Sequence, residues 1–131
     1  MNNKLQSLRA KIDELDAEIQ RLISQRAQYA QDIAQLKNGA QPYRPEREAE
    51  VLRQALKRNQ GPLSGEHITR IFREIMSACR ALEQITRVAY LGPEGTFTQN
   101  AALKHFGHAI ETRALSSIEE VFREVEADAA A

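Results

Sequence analysis

The sequence predicts a mainly α-helical protein: a three-helix domain with one long N-terminal helix, followed by a partial α/β segment. Three observations carry this. Residues 4–37 hold an unbroken 3–4 spacing of apolar residues with no Gly or Pro until Gly39 and Pro42. Two further helical patterns follow, separated by Gly61-Pro62. After Arg87 the period shortens and short apolar runs alternate with glycine turns, the start of a βαβα order.

The first helix has its apolar residues at Leu5, Leu8, Ile12, Leu15, Ile19, Leu22, Tyr29, Ile33 and Leu36, the a and d positions of a heptad repeat. Asn3 followed by Gln6 suits a capping box. At 1.5 Å per residue such a helix is about 50 Å long. Two shorter helices cannot cover its stripe, so the economical solution is a dimer of long helices packed along each other. The second helix starts at Pro45, which lacks the N–H that a first helical position leaves unsatisfied. Glu46 and Glu48 favour the positive end of its dipole, and Val51, Leu52, Ala55 and Leu56 form its apolar face. Ser64 caps a third helix whose apolar face is Ile68, Ile71, Phe72, Ile75, Met76, Cys79 and Leu82. Then come a strand at Val88–Gly92, a turn at Gly92-Pro93-Glu94-Gly95 and a helix over Thr98–Phe106. A strand at Ile110–Leu115 and a helix capped by Ser117 complete the order. About 44 residues bury too little surface to stand alone, so this segment is expected to be truncated. It is expected either to be disordered or to fold only against another chain.

Composition excludes several classes. The 131 residues carry 18 Lys+Arg and 18 Asp+Glu, with no Trp and a single cysteine, Cys79. An internal disulfide and a cysteine-based zinc site are ruled out. No apolar stretch approaches a membrane span, and the polar N-terminus is no secretory signal, so the expected location is the cytoplasm. A neutral chain argues against a dedicated nucleic-acid binder. The neutrality is a sum of opposites. Through Arg87 the chain has 15 Lys+Arg against 11 Asp+Glu, a balance of +4; from Val88 on, 3 against 7 give −4.

The cations of the first helix are not spread evenly. Arg26 breaks the heptad at an a position. Lys37, 11 residues on, returns to nearly the same face about 16 Å away, so the two can close on a small dianion. An arginine snorkelling out of the seam, or one fixing helix register, fits the periodicity equally well. Arg9 lies 17 residues before Arg26, about 25 Å along the helix, and can serve the same site only from the other chain of an antiparallel dimer. A solvated arginine is the plainer reading of Arg9. Arg47 and Glu48 open the second helix on the side of Val51 and Leu52, or lie on the surface. Cys79 and Glu83 share the apolar side of the third helix. Cys79 there is a core residue. A carboxylate at Glu83 needs a cation or a proton.

These residues resemble a family. Leu8-Arg9-Ala10-Lys11-Ile12-Asp13-Glu14-Leu15-Asp16, Arg26, Lys37, Tyr43-Arg44-Pro45-Glu46-Arg47-Glu48 and the stretch Ile68–Glu83 resemble the all-helical chorismate mutases over residues 5–86. Val88-Ala89-Tyr90-Leu91-Gly92-Pro93-Glu94-Gly95-Thr96-Phe97-Thr98-Gln99 is similar to the opening of a prephenate dehydratase domain. The resemblance implies a mutase domain at 1–86, a dehydratase fragment at 87–131, and an intertwined antiparallel homodimer sharing its sites. It implies the [3,3] rearrangement of chorismate, a small dianion, to prephenate in phenylalanine biosynthesis, with no metal and no cofactor. Arg26, and Arg9 of the other chain, would bind substrate carboxylates. Arg47 would support that cationic wall. Lys37 would donate to the breaking ether oxygen and Glu48 would accept from the ring hydroxyl. Lys37, Glu83 and Arg26 are the catalytic set.

The chain also departs from the family pattern. Glu83 stands where Gln is frequent, Cys79 where Ser is frequent, and Arg44 where some relatives have Asp, so no role is carried to Arg44 and a substrate contact at Cys79 loses its hydroxyl donor. The dehydratase Thr-Arg-Phe segment and the phenylalanine-sensing domain are missing, so neither dehydration nor feedback is expected of this chain. The competing readings are a non-catalytic helical dimerisation module and a lyase releasing pyruvate from isochorismate. Only a protonated Glu83 can donate to the ether oxygen, so mutase turnover is expected to be favoured at mildly acidic pH. The pH–rate profiles of wild type and Glu83→Gln check this, and the decline on Glu83 ionisation should be lost in the variant.

Overall fold

A computed structural model describes residues 2–37, 44–83 and 86–127. Its elements run α1 (Asn2–Lys37), α2 (Pro45–Arg58), α3 (Gly65–Glu83), β1 (Thr86–Leu91), α4 (Phe97–Phe106), β2 (Ile110–Leu115) and α5 (Ile118–Glu126). Gly39, Pro42 and Tyr43, the predicted break after the first helix and the start of the Tyr-Arg-Pro motif, lie outside the described residues.

α1 is 36 residues long, about 54 Å at the helical rise. Asn3 lies inside this helix, so the expected capping box does not form its start. The amphipathic run from Leu5 carries the helix without it. α1 buries none of its side chains fully, and its predicted stripe stands open: Ile12 is 55% exposed, Leu15 60% and Tyr29 66%. α1 and α2 both pack against α3, which makes α3 the centre of the helical part.

Local chemistry explains the other helix starts. Pro45 occupies the first turn of α2 with Glu46 and Glu48 beside it. The Ser64 hydroxyl accepts from the His67 backbone N–H at 3.2 Å. Thr96 accepts from Gln99 N–H at the head of α4, and Ser117 accepts from Glu120 N–H at the head of α5. Glu120 returns the bond by accepting from Ser116 N–H at 3.1 Å.

Residues 86–127 form a folded βαβα unit. β1 and β2 pair in parallel, with Val88 opposite Thr112 and Leu91 opposite Leu115, and α4 is the crossover between them. Parallel strands require such a connection. Val88, Tyr90 and Ala102 are its buried hydrophobic residues. The expectation of disorder, or of folding against another chain only, is corrected here: the unit docks on α3 of its own chain.

The docking face is polar, and the apolar pattern of α3 does not reveal it. Ile71 and Leu82, expected on the packed face, are 48% and 51% exposed. The contact is made by Arg73, Glu74, Ser77 and Arg80, one side of the helix at 3–4 spacing. Arg73 donates to the Lys104 carbonyl at 3.3 Å. Glu74 accepts from His108 N–H at 3.1 Å and pairs with its Nδ1 at 2.6 Å. The Ser77 hydroxyl accepts from Ala109 N–H at 3.1 Å, and Arg80 donates to the Phe106 carbonyl at 2.7 Å. Gly107 permits the approach. Its φ is +81°, and a Cβ there would lie 2.4 Å from the Ser77 Cβ and 3.1 Å from the Arg73 carbonyl.

Gly107→Ala is therefore expected to loosen this docking by about 1–3 kcal/mol, through backbone strain and overpacking. Faster hydrogen exchange at the Ala109 amide, with α1–α3 protected as before, is the expected result.

Candidate active site

α1 contributes the first wall of a pocket at the junction of the three helices. Arg26, Ala30, Ile33 and Lys37 line it, so the 11-residue spacing does put both cations on the same face. Arg44, Arg47, Glu48 and Val51 come from the start of α2, where Pro45 and the first turn set their direction. Met76, Cys79, Arg80 and Glu83 come from the last turns of α3. Among the described lining residues, five are Lys or Arg and two are carboxylates. An anionic ligand matches that balance.

The contacts inside the pocket are specific. Arg26 Nη1 donates to the Cys79 sulfur at 3.3 Å. This holds Arg26, the heptad exception, turned toward α3 and shows what the thiol does in place of a hydroxyl. Glu48 Oε2 lies 2.7 Å from Arg80 Nε, with the two side chains 17% and 7% exposed. Burial pushes the Glu48 carboxyl above its ordinary range, and Arg80, Arg26 and Arg73 pull it back. The Nε of Arg44 is buried without a hydrogen-bond partner among the described residues, a donor left over for a ligand.

Not every predicted residue behaves as expected. Glu83 lines the pocket but is exposed within one chain, so the burial that the apolar stripe implied is not provided by α1–α3 alone. Lys37 and Arg47 are exposed as well. Arg9 is exposed and stands on α1 17 residues before Arg26, outside the pocket. The pocket holds about 140 Å³, below the roughly 300 Å³ at which small-molecule sites begin.

Arg80 is the residue that sequence reasoning missed. It follows Met76 by four and precedes Glu83 by three, so helical spacing alone places it on the pocket side. It interrupts an apolar pattern there much as Arg26 does on α1. A wider cleft of about 570 Å³ opens between α3 and α4. Its charged groups are largely engaged with one another: Arg70 with Glu66, His108 with Glu74, and Arg73 with the Lys104 carbonyl. The smaller pocket is the better site, because its cations converge on open space. Among the described residues no cluster of His, Cys, Asp and Glu could hold a metal ion, and no helix is long and apolar enough to cross a membrane.

The sequence is similar to known proteins. Residues 8–84 match the family described as chorismate mutase type II, and residues 88–131 match prephenate dehydratase. A bifunctional chorismate mutase/prephenate dehydratase of Stutzerimonas stutzeri is 54% identical over 134 residues, covering 97% of this chain and 37% of the relative. Proteins of the same name from Neisseria gonorrhoeae and Aquifex aeolicus are 54% and 43% identical, covering 88% and 94% of this chain. The chain spans about 37% of the length of the first of these relatives. No solved structure matches it. The match over residues 8–84, which includes Arg9, Arg26, Lys37, Arg47, Glu48, Cys79 and Glu83, shows that the chain belongs to the type II chorismate mutase family.

Proposed function

We propose that the chain rearranges chorismate to prephenate in a pocket completed by a second copy of itself. The observation that carries this reading is the convergence of Arg26, Lys37, Arg44 and Arg47 around Glu48 in a family member. A [3,3] shift needs no nucleophile and no external proton. The protein must hold a flexible dianion in its compact reactive conformer and stabilise negative charge developing on the ether oxygen. Arg26, braced by Cys79, takes a substrate carboxylate. Arg47 reinforces the cationic wall. Lys37 donates to the ether oxygen and a nearby carboxylate, and Glu48 accepts from the ring hydroxyl. Glu83, at the open edge, faces the ether oxygen when substrate and a second chain close the site.

The second chain answers two features of the first. The exposed a and d stripe of α1 needs a partner helix, and the pocket lacks a wall. An antiparallel pairing brings the partner's Arg9 to the pocket, which α1 of the same chain cannot do across about 25 Å. Residues 1–86 then form the catalytic domain and 87–131 the start of a dehydratase domain, with the reaction placed in the cytoplasm. The prephenate dehydratase match favours prephenate as product over a pyruvate-releasing lyase reaction.

Arg26→Ala is expected to lower chorismate consumption about 10²–10³-fold while sedimentation still shows a dimer. A dimer with undiminished turnover would leave the scaffold reading in place. Leu15→Glu sets a charge in the middle of the α1 stripe and should yield monomers that have lost both the partner's Arg9 and the activity. Wild-type chain that is monomeric and active at micromolar concentration refutes the shared site. Product identification as prephenate, rather than salicylate with pyruvate, separates mutase from lyase.

A further inference from the structure

The buried arginine of α3 touches two things that the mutase reaction does not connect. Arg80 is 6% exposed, and its Nε lies 2.7 Å from the Glu48 carboxylate at the pocket wall. Its Nη2 donates at 2.7 Å to the Phe106 carbonyl, the last residue of α4. One planar guanidinium thus spans from α2 to the α/β unit, with its two ends fixed by different parts of the chain. Glu48 has a second cation in Arg26 and a third in Arg73, so Arg80 is not needed merely to neutralise it. What Arg80 adds is place: a buried guanidinium nitrogen 2.7 Å from Oε2 holds the Glu48 carboxylate against α3.

We propose that Arg80 is a positioning residue for Glu48, and that the docked α/β unit acts on the pocket through it. The Phe106 carbonyl holds the far end of the guanidinium, and Gly107, which follows, lets the backbone come close enough to do so. Release of the unit from α3 frees Arg80 and with it the Glu48 carboxylate. The kinetic consequence rests on the mutase reading above; the coupling of Arg80 to Glu48 does not.

The charged groups around Glu48 come from every helix of the pocket: Arg26 and Lys37 from α1, Arg44 and Arg47 on its own element, and Arg73, Arg80 and Glu83 from α3. Burial already favours the neutral acid, and Arg80 is the foremost of the cations opposing it. Removing that cation moves the Glu48 midpoint further up, and the carboxylate, the stronger acceptor and the form that accepts without donating, appears only at higher pH.

The test uses the full chain with carbon-13-labelled Glu carboxyls, the Glu48 signal being assigned by its loss in Glu48→Gln. In Arg80→Leu the Glu48 midpoint is expected to rise by about one pH unit or more. The acid limb of kcat/KM for chorismate should rise with it, and well below the midpoint kcat/KM should fall about tenfold for each pH unit by which the midpoint rises. Arg80→Lys keeps the charge without the fork and should fall between wild type and Arg80→Leu in both readings; it also carries the test if the leucine variant does not fold. Gly107→Ala, which touches no pocket residue, should shift the midpoint in the same direction by a smaller amount. An unmoved midpoint in folded Arg80→Leu, or an Arg80→Lys chain equal to wild type in both readings, overturns the proposal. An unmoved midpoint in Gly107→Ala, with exchange showing the unit released, overturns the link to Phe106. Wild-type chain that leaves chorismate unchanged removes the mutase reading, while the midpoint shift still decides the coupling.

Discussion

An arginine and a glutamate facing each other in a mostly buried position organise this chain more than any apolar contact does. Arg80 and Glu48 are both largely removed from water, and neither position is tolerable for a lone charge. Breaking such a pair by removing one member costs about 3–5 kcal/mol, so each fixes the place of the other. Their pairing joins α2 to α3. It turns the head of α2, with Arg44 and Arg47, toward the Arg26–Lys37 face of α1. It also presents the outer edge of the guanidinium to the α/β unit. A pocket that holds such a pair starts with polar groups oriented, as the electrostatic stabilisation in the proposed reaction requires.

The long helix sets the opposite condition. α1 has more apolar surface than α2 and α3 can cover, and the residues that stay open are those with heptad spacing. Arg26 and Lys37 of α1 line the pocket, and Arg9 stands on the same helix at a distance no side chain spans. In the proposed dimer, pairing of the long helices and completion of the site would answer one constraint, the fixed rise of the α-helix.

Much of the secondary structure was legible because its causes are local. Ser64 and Ser117 mark the heads of α3 and α5 through bonds made within a few residues, and Pro45 marks that of α2 by lacking the N–H that a first turn leaves unpaired. The capping pattern places Asn3 just before α1, whereas the helix already includes Asn2 and Asn3. The Arg26–Lys37 face was legible for the same reason, since one helix carries both. Arg80 was not, although it breaks the α3 pattern as Arg26 breaks that of α1. Its meaning depends on Glu48, 32 positions earlier, and on Phe106, 26 positions later. An apolar stripe runs up to Glu83 and implies burial, yet the side chain is exposed in the single chain.

The amino-acid sequence alone determined the order and type of the elements, the cationic character of the helical part, the heptad stripe and the family resemblance. Each depends on spacing along one element, where the helical period makes distance a simple count. Only the tertiary structure decided that α3 has a second, polar face, that residues 86–127 dock on it, and that Arg80 ties this docking to Glu48. Those are contacts between elements, and they rest on how three helices and a βα unit meet in space. No periodicity within any one of them records it.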